Sequence, residues 1–326
     1  MKRPRGVLSH HKFQQLFASP VHNNLVLGFD AAGQYTFPDA ISKYLPHLQA
    51  YWQEKGLCFS GELQSVCITG AVEWHSVANE RFSRAELLLT CCPAMYWQFL
   101  CSNLSLDMPL PDGKTLRQYY DQGVFGKFMC RYSGPLFEGT GKMFGFPVLG
   151  NCLGITVSLV TVDKKFIVTQ RSTECEGVSH DHGNWQCAVG TQVKRHEARF
   201  LDSNGVPCPA LSAIEGLVDE MGEEVANNSF YPFFQGLVFR DDYVHCELLY
   251  EVDTTLTAQE VMEAWHRVPV RRRCEIERIE AIDMHRPDRL IEHLADQRNR
   301  WSPQHAAGAL NTLDWKFRGE IAEYGF

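Results

Sequence analysis

The chain has 326 residues, of which 44% are hydrophobic and 21% charged, so it holds enough apolar material for one large domain or two of ordinary size. Its formal net charge of -8 argues against a nucleic-acid-binding protein, which normally carries a basic stripe. No stretch approaches the roughly 18 to 20 apolar residues that a membrane helix needs, so no membrane partner is expected.

The cysteines and the start of the chain indicate a reduced, cytoplasmic protein. The 12 cysteines are scattered singly, apart from Cys91-Cys92, and no Cys-x-x-Cys occurs. Residues 1–5 are basic, but the polar residues that follow them differ from the apolar segment of a secretory signal. We therefore expect reduced thiols, buried as small hydrophobic side chains, in a cytoplasmic chain.

The N-terminal part of the chain predicts an α+β unit. Its expected elements, in order, are a strand at 25–29, a helix at 40–53, strands at 63–74 and 85–92, and a helix at 95–104. Glycine and proline then become frequent between Pro109 and Gly150, which is typical of a long connection. We therefore divide the chain into an N-terminal accessory domain over 1–145 and a second domain over 146–326.

The second domain shows a clearer pattern of strands and helices. Its expected elements are strands at 152–162, 166–169 and 185–189, an amphipathic helix at 210–225, strands at 234–239 and 243–252, a helix at 258–266, a strand at 275–282 and a helix at 288–295. This order predicts an α/β sandwich rather than a regular βαβ wheel.

One predicted helix carries the residues that point to a function. Opposite the apolar stripe of 210–225 stand four acids, Glu215, Asp219, Glu220 and Glu223. Hydrolysis of a pyrophosphate needs a divalent metal ion that neutralises phosphate charge and lowers the pKa of the attacking water. Mg²⁺ prefers carboxylate oxygens, so several acids on one helical face suit such a site. An ordinary solvated helix face has the same pattern.

The helix and the strand before it resemble the Nudix box, which runs Gly-x5-Glu-x7-Arg-Glu-U-x-Glu-Glu-x-Gly-U, where U is a bulky aliphatic residue. Gly190 matches the opening glycine, Leu217 matches U, and Gly222 matches the closing glycine, with the acidic pair of positions 219 and 220 between them. Two positions depart from the motif. Glu215 stands where the family has arginine, and Gly216 stands where it has the first metal-binding glutamate.

A second register of the same motif takes Glu220, Glu223 and Glu224 as its acids. It is less favourable because Gly222 would then lie in the middle of a helix, and Ala226 would replace the closing glycine.

A longer resemblance covers roughly residues 60–265, which are similar to the UDP-glucose/UDP-galactose pyrophosphatase branch of the Nudix hydrolase superfamily. The matching segments are 87–89, 96–103, 153–172, 236–240 and 256–261, together with the strand that contains Glu247. The resemblance implies a Nudix fold, an α/β/α sandwich with a mixed sheet, preceded by an N-terminal α+β accessory domain.

The resemblance also assigns a metal site. Asp219 and Glu220 are expected to bind Mg²⁺, for which Mn²⁺ can substitute. Glu247 is expected as a further metal ligand or as the catalytic base, alongside Glu220. Glu215 is expected to replace, in part, the catalytic acid that is missing at Gly216. On a helix, position 216 falls in angle between 219 and 220, so a carboxylate introduced there is expected to face the same ions.

Four residues are expected to bind the substrate. Arg171 and Arg240 are placed by the resemblance near the phosphates, where a planar guanidinium can hold two oxygens. A surface salt bridge is the alternative for each arginine. Tyr96 and Asn103 are expected to line a sugar or uracil pocket, and core packing is the alternative for Tyr96.

The function implied by the resemblance is Mg²⁺-dependent hydrolysis of a nucleoside diphosphate linked to another moiety. A UDP-sugar is the first expected substrate, and the products would be UMP and a sugar 1-phosphate. The alternative is a catalytically impaired Nudix module that binds a nucleotide or nucleotide-sugar as a sensor or scaffold. The departures at Glu215 and Gly216 favour the alternative, whereas the acidic pair and Glu247 favour the hydrolase.

Overall fold

The computed structural model describes a mixed α/β protein that contains two β-sheets with helices packed against them. The residues described are 13–18, 23–56, 64–78, 83–121, 141–143, 149–150, 152–174, 181–240, 245–270 and 275–317. Among these residues, no helix has both the length and the apolar character needed to cross a membrane.

Strands and helices alternate irregularly along the chain. The strands are β1 (Phe13–Ala18), β2 (Asn23–Phe29), β3 (Gln64–Ala78), β4 (Ser83–Met95), β5 (Gly141–Met143), β6 (Gly154–Val160), β7 (Lys165–Arg171), β8 (Trp185–Cys187), β9 (Val189–Gln192), β10 (Phe233–Arg240), β11 (His245–Asp253) and β12 (Ile276–Asp283). The helices are α1 (Asp39–Ser42), α2 (Leu45–Glu54), α3 (Tyr96–Leu100), α4 (Leu116–Asp121), α5 (Pro209–Glu220), α6 (Glu223–Asn227), α7 (Ala258–Arg267), α8 (Asp288–Ala295) and α9 (Pro303–Lys316). Short 3₁₀ helices lie at Asn103–Ser105 and Ala198–Phe200.

The larger sheet has the strand order β1-β10-β11-β6-β7-β12, with β9 paired to β6 and β8 paired to β7. It is a mixed sheet, because β11 and β6 run parallel whereas β10 and β11, or β7 and β12, run antiparallel. Every residue of β6 is buried, which is typical of a strand covered on both faces and explains the continuous apolar run in its sequence. The predicted α/β class is therefore confirmed.

Helices cover both faces of the larger sheet. α5 packs on β9 and β6, and α9 packs on β10, β6, β8 and β11. Within β9, Val189 and Thr191 face α5, whereas Gly190 between them faces α9. Because successive residues of a strand point to opposite faces, α5 and α9 lie on opposite sides of the sheet.

The smaller sheet has the order β2-β4-β3-β5 and belongs to the N-terminal part of the chain. Its strand β4 continues through Pro93, beyond the predicted end at 92. Pro93 has no N–H group to donate to its register partner Val66. The carbonyl of Val66 instead accepts a hydrogen bond from the N–H of Leu153, at 2.8 Å.

The two sheets share one hydrophobic core. A single cluster of buried side chains includes Leu89 of β4, Phe99 of α3, Leu217 of α5 and Leu248 of β11. In addition, β1 pairs with β10 at the edge of the larger sheet, although its residues fall in the predicted accessory domain. The division at 145/146 stays a prediction.

The predicted helix at 210–225 ends earlier than expected. The amides of Met221 and Gly222 both donate to the carbonyl of Leu217, at 2.8 and 3.0 Å, and Gly222 has a φ of 100°. A residue with positive φ ends a helix, and glycine adopts that conformation without a steric penalty. The chain then continues as α6, so Glu223 and Glu224 of the second register lie on a different helix from Glu220. Similarly, the helix predicted at 40–53 is divided into α1 and α2.

Four named elements of the structure were not predicted from the sequence: β1, α9, and α4 and β5, which lie in the stretch predicted as a long connection. The signal for α9 is a serine followed by Pro303, the residue pair typical of a helix start. Four consecutive small residues, Ala306, Ala307, Gly308 and Ala309, are all buried, so the helix is buried on all sides there and its sequence shows only a weak apolar periodicity.

Candidate functional site

The candidate site lies where β6 and β7 diverge. The two strands pair at Leu159–Ile167 and Val160–Phe166. Beyond these pairs, β8 lies against β7 and β9 lies against β6. Within the described part of the chain, the edge of β9 away from β6 has no strand partner. The N–H of Gly190 on that edge is therefore free to bind a side chain.

α5 approaches β9 closely because Gly216 has no side chain. A Cβ atom placed on Gly216 would lie 2.7 Å from Val189 Cγ1 and 3.0 Å from Thr191 Cγ2. The expected position of Gly216 on the polar side of the helix is therefore wrong, since it lies on the face that packs on the sheet. The apolar stripe predicted from the sequence is only partly buried: Leu217, Met221 and Val225 are buried, whereas Ile214 and Val218 are half-buried. The buried face is therefore rotated toward Ala213 and Gly216.

One turn after Gly216, Glu220 places its carboxyl group at the edge of β9. Its Oε1 accepts a hydrogen bond from the N–H of Gly190, at 3.3 Å. Burial, and then the charge of Glu275, raise the pKa of Glu220 to about 8, although Arg171 and the Gly190 N–H oppose the shift. Without a bound cation, this carboxyl group is therefore mostly protonated at neutral pH.

Arg171 ends β7 and lies within electrostatic reach of the Glu220 carboxyl group. Its guanidinium forms an ion pair with Glu275. Burial alone would lower the pKa of Arg171, but the negative charges of Glu275, Glu220 and Asp181 raise it. Arg171 and Glu220 thus lie within electrostatic reach of each other, and the phosphate contact of Arg171 stays a prediction.

Tyr96 adds an aromatic ring from the N-terminal part of the chain. Burial, followed by the charges of Glu275 and Cys152, raises the pKa of Tyr96 well above its usual value, whereas Arg171 lowers it. The ring centre lies 6.1 Å from that of Phe99. Tyr96 is therefore both packed in the core and close to the Arg171–Glu275 ion pair.

Asp219 and Glu215 each have a cationic partner. Asp219 Oδ2 lies 3.1 Å from Lys194 Nζ, and Glu215 Oε1 lies 3.1 Å from Arg199 Nη2. Both cations come from the loop between β9 and α5, which is longer here than the Nudix motif allows. Neither cation was predicted as part of the site, although the basic residues of 194–199 precede an acidic helix, a pattern that indicates such ion pairs.

Glu247 lies on the other face of the sheet. Its Oε2 accepts a hydrogen bond from Thr156 Oγ1 at 2.8 Å. A Cβ atom placed on Gly308 of α9 would be 3.1 Å from Thr156 Cγ2, so Thr156 and Glu247 point toward α9 rather than α5. The structure therefore does not bring Glu247 together with Asp219, as the predicted metal site requires.

The partner of Glu247 is His245. The imidazole Nδ1 lies 3.4 Å from Glu247 Oε1, and its Nε2 donates to the carbonyl of Cys152 at 2.6 Å. Burial alone would raise the pKa of Glu247, but His245 holds it below the usual value. The ring of Phe99 packs on the imidazole with centroids 4.6 Å apart. These contacts describe a buried structural pair that joins β11 to α3.

Arg240 belongs to a second buried group, beneath the start of α9. It is 3% exposed, and its Nη1 donates to Asp181 Oδ2 at 2.8 Å and to Gln304 Oε1 at 2.7 Å. Burial would raise the pKa of Asp181, but Arg240 lowers it. Arg240 thus forms an ion pair within the protein in place of the predicted phosphate contact. Sequence reasoning missed this because Gln304 lies on the unpredicted helix.

His305, also on α9, lies behind Gly190. Its Nδ1 accepts a hydrogen bond from the N–H of Cys187 at 3.2 Å, and burial lowers its pKa to about 4. A Cβ atom placed on Gly190 would be 3.1 Å from the imidazole. The imidazole is therefore neutral, and a glycine at 190 lets it approach the strand.

Asn103 is fully buried in the 3₁₀ helix after α3. Its Oδ1 accepts a hydrogen bond from Ser102 Oγ at 2.9 Å. Its side chain therefore packs inside the N-terminal region rather than on an accessible surface, and the predicted sugar or uracil contact has no counterpart in this placement.

The described residues contain no group of three or more histidine, cysteine, aspartate or glutamate side chains placed to hold a metal ion. Asp219, Glu220 and Glu247 do not form such a set. Asp219 and Glu220 are nevertheless adjacent carboxylates at the end of α5. Two carboxylates fit Mg²⁺, which proteins commonly hold through one or two carboxylates, waters and the phosphates of a substrate.

The sequence matches no protein-family model and no curated protein. Among solved structures, the chain is similar to the crystal structure of DR0079 from Deinococcus radiodurans, with 14% sequence identity and a TM-score of 0.31. The alignment covers 49% of this chain and 81% of that chain. A TM-score this low carries no argument about fold or function.

Proposed function

We propose that this chain is a cytoplasmic, Mg²⁺-dependent pyrophosphohydrolase with a Nudix fold. Its substrate is a nucleoside diphosphate linked to another moiety, with a UDP-sugar as the first candidate. Water attacks one phosphorus and the anhydride bond breaks, which gives UMP and a sugar 1-phosphate. The observation that carries the proposal is the position of Glu220, whose carboxyl group accepts a hydrogen bond from the Gly190 N–H and lies within electrostatic reach of Arg171.

Two further carboxyl groups, those of Glu275 and Asp219, lie within electrostatic reach of Glu220. Burial and the charges of Glu275 and Asp219 raise the pKa of Glu220 to about 8, and a nearby divalent charge would reverse that shift. Asp219 and Glu220 are the residues that would hold Mg²⁺. When bound, Mg²⁺ neutralises phosphate charge and lowers the pKa of the attacking water.

The phosphates would lie beside Arg171. A diphosphate is repelled by carboxylates alone, so binding here needs compensating positive charge. Arg171 supplies a planar guanidinium, and its present partner Glu275 is more than half exposed, so that ion pair is screened and easily exchanged. Tyr96 lies within electrostatic reach of the same ion pair.

Hydrolysis of UDP-glucose, coupled to phosphate release through a phosphatase, tests the proposal. Turnover should require Mg²⁺ and stop in excess chelator. Glu220→Gln should lower the rate by at least roughly a hundredfold, because one transition-state contact of this kind contributes about that much. The matched control is Glu223→Gln, an exposed acid on α6, which should keep the wild-type rate. Turnover that persists unchanged in chelator would refute the metal-dependent reaction.

A second candidate function is binding of a nucleotide or nucleotide-sugar without hydrolysis, as a sensor or scaffold. Two observations favour it. Asp219 and Glu215 are already neutralised by Lys194 and Arg199, and Gly216 packs on β9 where the family motif has an acid. This function predicts that UDP-glucose raises the melting temperature while no diphosphate is hydrolysed.

A further inference from the structure

Lys194 lies against a proposed metal ligand. Its Nζ is 3.1 Å from Asp219 Oδ2, and its backbone N–H donates to Ser212 Oγ at 2.9 Å. Its ammonium group is also 5.6 Å from the centre of the Phe200 ring. The bond to Ser212 fixes the residue against the start of α5, so the side chain extends along the helix to Asp219.

The other cation of this loop is engaged elsewhere. Arg199 lies 2.8 Å from Glu197 and 3.1 Å from Glu215, so its charge is compensated by two carboxylates. Asp219 lies within electrostatic reach of Arg199, but its hydrogen bond comes from Lys194. Lys194 is therefore the direct counter-charge of Asp219.

We propose that Lys194 is a positioning residue that exchanges partners. It holds Asp219 in the metal-free chain, is displaced from that carboxylate by a divalent cation, and then binds a phosphate oxygen of the ligand. The inference rests on the proposed function, in which Asp219 and Glu220 hold the cation.

Two physical properties of the pair support the exchange. The side chains of Lys194 and Asp219 are 21% and 46% exposed, and an ion pair that reaches solvent is weak enough to be displaced by a dication. Once released, the lysine retains a flexible stem and three N–H donors, which suit a phosphate oxygen. The ammonium group of Lys194 would thus neutralise Asp219 in the metal-free chain and a phosphate oxygen once the cation and ligand are bound.

The exchange predicts effects of opposite sign on two ligands. Lys194→Met removes the ammonium group and keeps the apolar stem beside Phe200. The Kd for Mn²⁺ should fall roughly two- to fivefold, because the cation no longer competes with the ammonium. The Kd for a UDP-glucose analogue with a methylene bridge between its phosphates, measured at saturating Mn²⁺, should rise roughly five- to tenfold because a charged hydrogen bond is lost. A purely structural role for Lys194 would weaken both.

Mn²⁺ binding is measured by electron paramagnetic resonance, and analogue binding by calorimetry. The matched control is Lys165→Met, because Lys165 lies 3.3 Å from Asp283 with side chains 29% and 46% exposed, at the opposite end of β7. Both constants should be unchanged in the control. If the methionine variant of position 194 does not fold, Lys194→Gln is measured in the same way.

The outcomes separate the exchange from the function on which it rests. An unchanged Kd for either Mn²⁺ or the analogue in the position 194 variant overturns the exchange. Mn²⁺ binding with the expected opposite shifts, but without hydrolysis of UDP-glucose, supports the exchange and overturns the hydrolase. Absence of Mn²⁺ binding in both the wild type and the variant overturns both.

Discussion

At the scale of single residues, two helix glycines show how packing selects glycine. Gly216 in α5 and Gly308 in α9 face the larger sheet from opposite sides. Glycine in a helix interior costs roughly 0.5 to 1 kcal/mol relative to alanine. At Gly216 an added Cβ atom would meet Val189 Cγ1 at 2.7 Å, whereas at Gly308 the nearest atom is 3.1 Å away. The glycine at 216 is thus explained by contact with β9.

Gly216→Ala should destabilise the protein by about 1 to 2 kcal/mol. Overpacking in a filled core costs about 1 to 3 kcal/mol, which exceeds the gain of at most about 1 kcal/mol in helix propensity. Gly216→Glu should destabilise it further and should not strengthen metal binding, since the carboxylate would be forced against Val189. Urea unfolding followed by circular dichroism measures the changes.

The control for this prediction is Gly308→Ala. This substitution has the same favourable effect on helix propensity, but the added Cβ atom meets its neighbours at a longer distance. It should therefore change the free energy of unfolding by less than about 1 kcal/mol. Equal stabilisation by both alanines would show that α5 can move away from β9 without cost, and that close packing does not explain Gly216.

The acidic pair shows where residue-level prediction from sequence ends. The sequence places Asp219 and Glu220 together on one helix, and the structure agrees. It could not show that Glu220 turns to the Gly190 N–H while the adjacent Asp219 reaches Lys194. That distinction depends on where β9 meets the helix and on the course of the loop between them, and neither is encoded in helical periodicity.

At the scale of elements, α9 is anchored at both ends by polar contacts. At its start, Gln304 accepts from buried Arg240 at 2.7 Å. At its end, Lys316 Nζ lies 2.6 Å from Glu251 Oε1 and 2.8 Å from Asp253 Oδ1. Because four consecutive buried residues of the helix are small, these end contacts contribute more to its docking than they would for a leucine-rich helix.

Lys316→Met should destabilise the protein by about 2 to 4 kcal/mol at pH 8, because it leaves the carboxylate of Glu251, which is 4% exposed, buried without its counter-charge. Burial already raises the pKa of Glu251 and Lys316 opposes that shift, so the substitution raises the pKa further. A carboxyl group whose pKa is higher in the folded than in the unfolded state stabilises the protein at low pH. That contribution is lost as pH rises from the unfolded pKa through the folded pKa. The loss should therefore be smaller at pH 5, where a larger fraction of Glu251 is protonated than at pH 8.

Thermal unfolding at both pH values measures the effect. Lys165→Met is the control, since its exposed ion pair with Asp283 should contribute less than about 1 kcal/mol. A loss that is equal at pH 5 and pH 8 would mean that the stem of Lys316, rather than its charge, holds the helix.

Most strands of the larger sheet were predictable from the sequence, and the reason is their burial. Strands β6, β10 and β11 are buried over nearly their whole length, so they appear as continuous apolar runs. The helix α9 was not predictable in this way because small residues give little periodicity. The strand order was also not predictable, since pairing of distant strands leaves no local pattern in the sequence.

At the scale of the whole molecule, the N-terminal and C-terminal parts are joined by the core and by specific contacts. The N–H of Leu153 donates to the carbonyl of Val66, and Phe99 packs on His245. Tyr96 of the N-terminal part lies close to Arg171. The predicted accessory domain therefore contributes to both the stability and the candidate site of the second domain.

A fragment of residues 146–326 should unfold at a clearly lower temperature than the full chain, or without a cooperative transition. It would lack β1 on the edge of β10, and it would expose the surface that α3 and β4 cover. Calorimetry of the fragment and the full chain provides the comparison. A fragment that melts cooperatively at the temperature of the full chain would establish 146–326 as an independent domain.

The pairing of β1 with β10 has a consequence for how the protein is made. Phe13 lies opposite Arg240, so β1 finds its partner only after roughly 230 more residues are synthesised, which takes about 10 to 45 s at ribosomal rates of about 5 to 20 residues per second. During that interval, the strands of the smaller sheet are all available to pair. A chain that pauses before β10 carries β1 as an unpaired strand, the kind of segment that joins to other chains. Slow translation of the second half should therefore favour association between nascent copies.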